Sequence, residues 1–118
     1  MEGTWTCEAA TVNGRALPET VTQLLHLTLT KDRYLTTRGA ETLFDSVYTI
    51  DRSQLPPHIN IVGTEGALKG QEAQGIYSLA GNTLRICYTM PGHPRPATFD
   101  SPPGSEAYLI IWKKAEPL

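Results

Sequence analysis

Runs of six to nine residues rich in Thr, Val, Ile, Leu and Tyr recur along the chain, each closed by Gly, Asn, Asp or Pro. This is the pattern of short β-strands separated by turns. Eight runs are legible, at 4–12, 25–31, 33–38, 43–51, 58–64, 73–79, 83–90 and 106–113. Within them apolar and polar residues alternate with the period of two that sends successive side chains to opposite faces. The parity that gathers most apolar atoms places Leu25, Leu27, Leu29, Phe44, Tyr48, Ile50, Ile59 and Ile61 inward, and in the later runs Tyr77, Leu79, Leu84, Ile86 and Tyr88. His26, Thr28, Thr30, Asp45, Thr49, His58, Asn60, Arg85 and Thr89 then face water. The last run, Tyr108 to Trp112, is apolar on both faces, so its parity is open; a helix covering its outer side would account for that.

The punctuation has a mechanism. Asn13-Gly14 and Gly81-Asn82 suit tight reversals, and Lys31-Asp32-Arg33 and Arg38-Gly39 suit short hairpin turns. The glycine-rich stretch at 63–70 reads as another hairpin loop. Short links make consecutive strands antiparallel neighbours, so the expected fold is all-β, an antiparallel up-and-down barrel of about eight strands. Two segments depart from the meander. At 17–24 (LPETVTQL), Pro18 at the first helical position and Val21, Leu24 and Leu25 on one helical face predict a short helix closing one mouth. At 91–105 (PGHPRPATFDSPPGS), prolines forbid a central strand and predict an ordered strap. Phe99, its one large apolar residue, is expected to point back onto the barrel, as a lid over a ligand site or as a cap on the core.

A length of 118 residues fits one domain, 1–118, with a single core. Ten basic residues against twelve acidic ones leave a net charge of -2. Nucleic acid is therefore not an expected partner, since phosphate binding needs a basic face and the adjacent cations are Lys113 and Lys114 alone. No apolar run approaches the roughly 20 residues that span a bilayer. The start Met-Glu-Gly-Thr-Trp lacks the basic and apolar regions of a signal peptide, so a cytoplasmic location is expected unless a leader has been removed. Cys7 and Cys87 fit a reducing compartment. They fall on strands flanking the last one, about 9–10 Å apart at two strand spacings, beyond the roughly 7 Å limit for bridged Cα atoms, and are expected to be free.

Gly3-Thr4-Trp5 at the start of the first strand resembles the Gly-x-Trp signature of lipocalins. That resemblance implies that the Trp5 indole plugs one barrel end with a basic residue of the final strand, Lys113 or Lys114, lying across it. The whole chain resembles the lipocalin-like domain of unknown function abundant in planctomycetes. The matching stretches are GTW at 3–5, NGRALP at 13–18, LTLTKDRY at 27–34, YTID at 48–51, GIYSLAGNTLRICY at 75–88, PGHPRPATF at 91–99 and SPPGS at 101–105. Asn82 departs from the Asp often found in that turn, and Cys7, unlike Cys87, is not part of the pattern. The resemblance implies a fold and no activity.

The candidate chemistry is sparse. His26, His58 and His93 lie in different elements, without Cys-x-x-Cys or His-x-x-x-His spacing, so neither a metal nor a cofactor is expected. No nucleophile elbow, phosphate loop or dinucleotide glycine pattern occurs, and Glu65 and Glu72 are too loosely placed to form a carboxylate pair. Tyrosines carry more information, because Tyr34, Tyr48, Tyr77 and Tyr88 fall on four strands at or near the inward parity. They are either ordinary core or phenols converging on a cavity, where Leu27, Ile86 and Phe99 would add apolar wall. The leading expectation is a carrier or sensor that binds a small apolar or amphipathic molecule in the lumen rather than an enzyme. One alternative is a cofactor-independent cyclase or isomerase, with Arg85, Tyr88 and His93 as the first candidates for polarising a carbonyl. The other is a protein-interaction module using the outer wall. The size of the lumen discriminates between them.

Overall fold

The computed structural model describes residues 1–65 and 68–115. Each alternating run becomes a strand: β1 (Gly3–Val12), β3 (Leu25–Leu29), β4 (Arg33–Arg38), β5 (Glu41–Asp51), β6 (His58–Gly63), β7 (Glu72–Ala80), β8 (Thr83–Thr89) and β9 (Ala107–Lys114). A two-residue strand, β2 (Arg15–Ala16), folds back on the end of β1 through Asn13-Gly14. Neighbours pair in sequence order and a β1–β9 pairing closes the sheet, giving an antiparallel up-and-down barrel of eight strands with β2 as a spur. Every ladder is antiparallel, as the short turns require. Gly66 and Ala67, at the tip of the expected 63–70 loop, lie outside the described residues.

The inward parity holds through most of the wall. Leu27, Leu29, Ile59, Leu84, Ile86 and Trp112 are fully buried in the main core, with Tyr34, Tyr48, Tyr77 and Tyr88 among them. Leu79 is a correction: it has the inward parity but stands near the Gly81 turn at the end of β7 and is 45% exposed. In β1 a bulge between Cys7 and Ala9 resets the alternation, so Cys7 and Ala10 both reach the core. Both cysteines are free. Burial pushes each thiol up to about 11, which keeps them protonated and unreactive near neutral pH.

The expected helix at 17–24 shrinks to one turn, α1 (Glu19–Thr22), with Pro18 as its N-cap and Gln23 as its C-cap. Thr20, Val21 and Thr22 are β-branched and poor at extending a helix, and β3 claims Leu25. Val21 packs on the core, but Leu24 is exposed, so the expected apolar face holds only in part. Among the described residues no helix is long and apolar enough to cross a membrane.

The doubly apolar last strand has a different explanation from the one expected. Ile110 and Trp112 point into the barrel. On its outside Leu109 joins Ala107, Cys87, Ile76 and Phe99 in a second, small cluster. Ile76, Cys87 and Leu109 are lateral neighbours in one row of the sheet, so three strands present an apolar strip outward. The strap at 91–105, not the helix, covers it.

Three groups of contacts hold the strap. Arg95 donates to the carbonyls of Ile59 and Gly75 at 3.1 and 2.7 Å and to Asn60 Oδ1 at 2.6 Å. Thr89 Oγ1 donates to Pro94 O at 2.9 Å, and the buried Ser101 hydroxyl donates to Ala107 O at 2.6 Å. Between these pins Phe99 lies on the outer cluster, with the Arg85 guanidinium 4.4 Å from its ring centre.

Candidate functional site

The two ends of the barrel differ because their side chains differ. At one end Trp5 is buried, and its Nε1 donates to Met1 O at 3.1 Å. Lys114 Nζ stands 4.9 Å from the centre of the indole. Trp5 and Lys114 are register partners on β1 and β9, and Lys114 shares the inward parity of Trp112. Lys113 has the opposite parity, so its expected place across the indole is corrected. It donates to Thr83 Oγ1 at 2.8 Å and pairs with Glu8 at 3.5 Å on the outside. Gly3 has φ +132, and a Cβ there would collide with the Lys114 ammonium, so the glycine of the Gly-Thr-Trp opening leaves room for the cation.

Tyr48 serves this closed end. Its hydroxyl donates to Thr30 O at 2.7 Å, and its ring meets Tyr34 edge-on at 6.3 Å. Burial raises its phenol above the ordinary range, helped by Glu2 and Asp32.

The opposite end is where β1 finishes, β3 begins and α1 crosses. Here a cavity of about 220 Å3 lies among Val12, Leu17, Val21, Phe44, Tyr88, Tyr108, Ile110 and Trp112, with Thr36 on its wall and Arg38 at its rim. Register explains the aromatic side of it. Tyr88 and Tyr108 are direct partners on β8 and β9, and their rings stack at 5.1 Å with planes 7° apart. Across the β7–β8 ladder from Tyr88 stands Gly75, where a Cβ would meet Tyr88 Cβ at 2.7 Å; the glycine makes room for the phenol. Burial, with Tyr34 and Tyr108 nearby, holds the Tyr88 phenol well above its ordinary value, so it is neutral at physiological pH.

A second, smaller space of about 30 Å3 lies between Tyr34, Ser46, Ala73 and Tyr88. That is room for about one or two waters. It shares Phe44 and Tyr88 with the larger cavity. The Tyr34 hydroxyl there is buried and has no hydrogen-bond partner among the described residues. Burial drives its phenol far above the usual range; the nearby Thr36 hydroxyl offsets this only in part and lies outside hydrogen-bond geometry. A wider groove of about 500 Å3 beside the small space is lined by Thr42, Leu43, Phe44, Asp45, Ser46, Gly63, Glu65 and Leu68, and shares Phe44, Ser46, Gly63 and Leu68 with it. It carries two carboxylates, Asp45 and Glu65, whereas the 220 Å3 cavity is walled mainly by apolar and aromatic side chains.

The candidate residues thus divide. Leu27, Tyr34, Tyr48, Tyr77, Ile86 and Tyr88 all have side chains inside the barrel, but of these only Tyr88 lines the larger cavity. Phe99 and Arg85 are corrections: both lie on the outer wall, so neither reaches the lumen. His93 is a further one, exposed in the turn that follows Met90. The enzymatic alternative therefore keeps one of its three candidates, Tyr88, within the barrel. Sequence reasoning missed Val12, Leu17, Thr36, Tyr108 and Trp112 as cavity walls. Their signal was available in part, because Thr36 and Arg38 continue the inward parity of Tyr34 along β4.

Compared with family models, with curated proteins and with solved structures, the chain matches none.

Proposed function

We propose that the chain is a lipocalin-type binding protein that takes a small apolar or amphipathic molecule through the mouth beneath α1. The observation that carries this reading is the 220 Å3 cavity, walled by Val12, Tyr88, Tyr108 and Trp112 and placed at the end opposite the Trp5 plug. An apolar cavity of about 150 Å3 already holds benzene, so this one admits a somewhat larger compact molecule. It is smaller than the roughly 300–1,000 Å3 of drug-sized sites, which points to a small guest. The two free thiols, Cys87 buried and Cys7 partly buried, suit the proposed cytoplasmic setting.

Native mass spectrometry of the purified chain is expected to show a co-purifying small molecule. Val12→Phe, whose ring would fill the cavity, is expected to abolish that adduct while leaving the melting temperature within a few degrees. A bare wild-type spectrum, together with no uptake of an added apolar fluorophore, would count against the binding reading.

A further inference from the structure

Among the described residues that line the 220 Å3 cavity, Arg38 alone is charged. Register fixes the way it faces. Arg38 ends β4 directly opposite Leu25 on β3, whose side chain belongs to the main core, and directly opposite Glu41 on β5. Direct partners share a face of the sheet, so Arg38 and Glu41 both stand on the lumen side, at the mouth. Their side chains are 47% and 57% exposed, so solvent and an entering molecule reach both.

The Arg38 fork is only partly used. Its Nη2 donates to Glu41 Oε1 at 2.8 Å, and Nε and Nη1 have no acceptor among the described residues. Arg33, at the other end of the same strand, shows the filled form: its Nε and Nη2 both donate to Asp45, at 2.9 and 2.7 Å. We propose that the lumen guest is an amphipathic carboxylic acid, its apolar body in the cavity and its carboxylate at the mouth on the free donors of Arg38. This rests on the binding reading above. A carboxylate matches the guanidinium fork with two parallel hydrogen bonds, which a neutral amide oxygen does not. The charge stays at the rim, because no second cation lines the cavity among the described residues and an unpaired buried carboxylate is strongly disfavoured. Glu41 works against the guest, since its own carboxylate shares the Arg38 cation and repels another anion beside it.

3-Phenylpropanoate and 3-phenylpropanamide have the same body and differ in charge. Calorimetric titration at low salt is expected to show wild type binding the carboxylate about tenfold more tightly than the amide. Arg38→Gln should weaken the carboxylate about tenfold and change the amide by less than about twofold. Glu41→Gln should act in the opposite direction, tightening the carboxylate about threefold with the amide unchanged. Both variants break the same ion pair, so a merely structural role for that pair would move them in the same direction. Should a variant fail to fold, added salt decides on the wild type, where it should weaken the carboxylate and spare the amide. Val12→Phe should abolish binding of both probes. Equal affinity of wild type for the two probes, variants that shift both probes alike, or carboxylate binding that survives Val12→Phe overturns the proposal. Amide binding lost in Val12→Phe leaves lumen binding standing in the first two cases. If neither probe binds wild type, the binding reading falls and this inference with it.

Discussion

Trp5→Ala is expected to lower folding stability by about 3–5 kcal/mol, the range for removing a buried large aromatic. Trp5 is 2% exposed and belongs to the main core. Its removal would open the closed end and leave the Met1 carbonyl without its donor. Lys114 contributes far less: its ammonium sits over the ring 4.9 Å from the centre but is open to water, so Lys114→Met should cost only about 0.5–1 kcal/mol. Lys113→Met, on the outer face, should change stability by less than about 0.5 kcal/mol. Urea unfolding of the three variants checks the ranking. A loss below about 1 kcal/mol for Trp5→Ala would remove the plug from this description.

Phe99→Ala is expected to cost about 2–3 kcal/mol and to leave lumen binding unchanged. The stability loss is set below that of a fully buried Phe because Phe99 is only partly covered. Its partners, Ile76, Cys87, Ala107 and Leu109, lie on the outer wall of β7, β8 and β9, with that wall between them and the cavity. Truncation would expose this strip and remove the ring beneath the Arg85 guanidinium. Thermal melts paired with a titration of an apolar fluorophore separate the two effects. A change in binding larger than the change in stability would restore the strap as a lid.

The strands were legible because a wall with one dry and one wet face imposes period two on its residues, and most of the chain obeys it. The same rule failed where its premise failed. Ile76 and Cys87 point outward yet are buried, with Leu109 beside them partly so, and alternation cannot register a face covered by a distant strap. That three adjacent strands each spare an apolar residue for the outside was readable, and the strap with its single aromatic was readable; their pairing was not. The helix is shorter than its apolar spacing predicts because Thr20, Val21 and Thr22 are β-branched. Lys114 rather than Lys113 became decidable only once the register fixed the parity of β9. The cavity was the least legible feature, since it depends on what small residues such as Ala10 and Thr36 fail to fill, and a volume left empty has no pattern in the chain.

A barrel plugged at Trp5 and hollow beneath α1 should take up xenon at one end alone, because xenon enters dry apolar cavities. A crystal structure of the protein under xenon pressure is expected to show a xenon peak between Val12, Tyr108 and Trp112 and none at the Trp5 end. Side chains filling that space, with no xenon inside the barrel, would contradict a barrel hollow beneath α1.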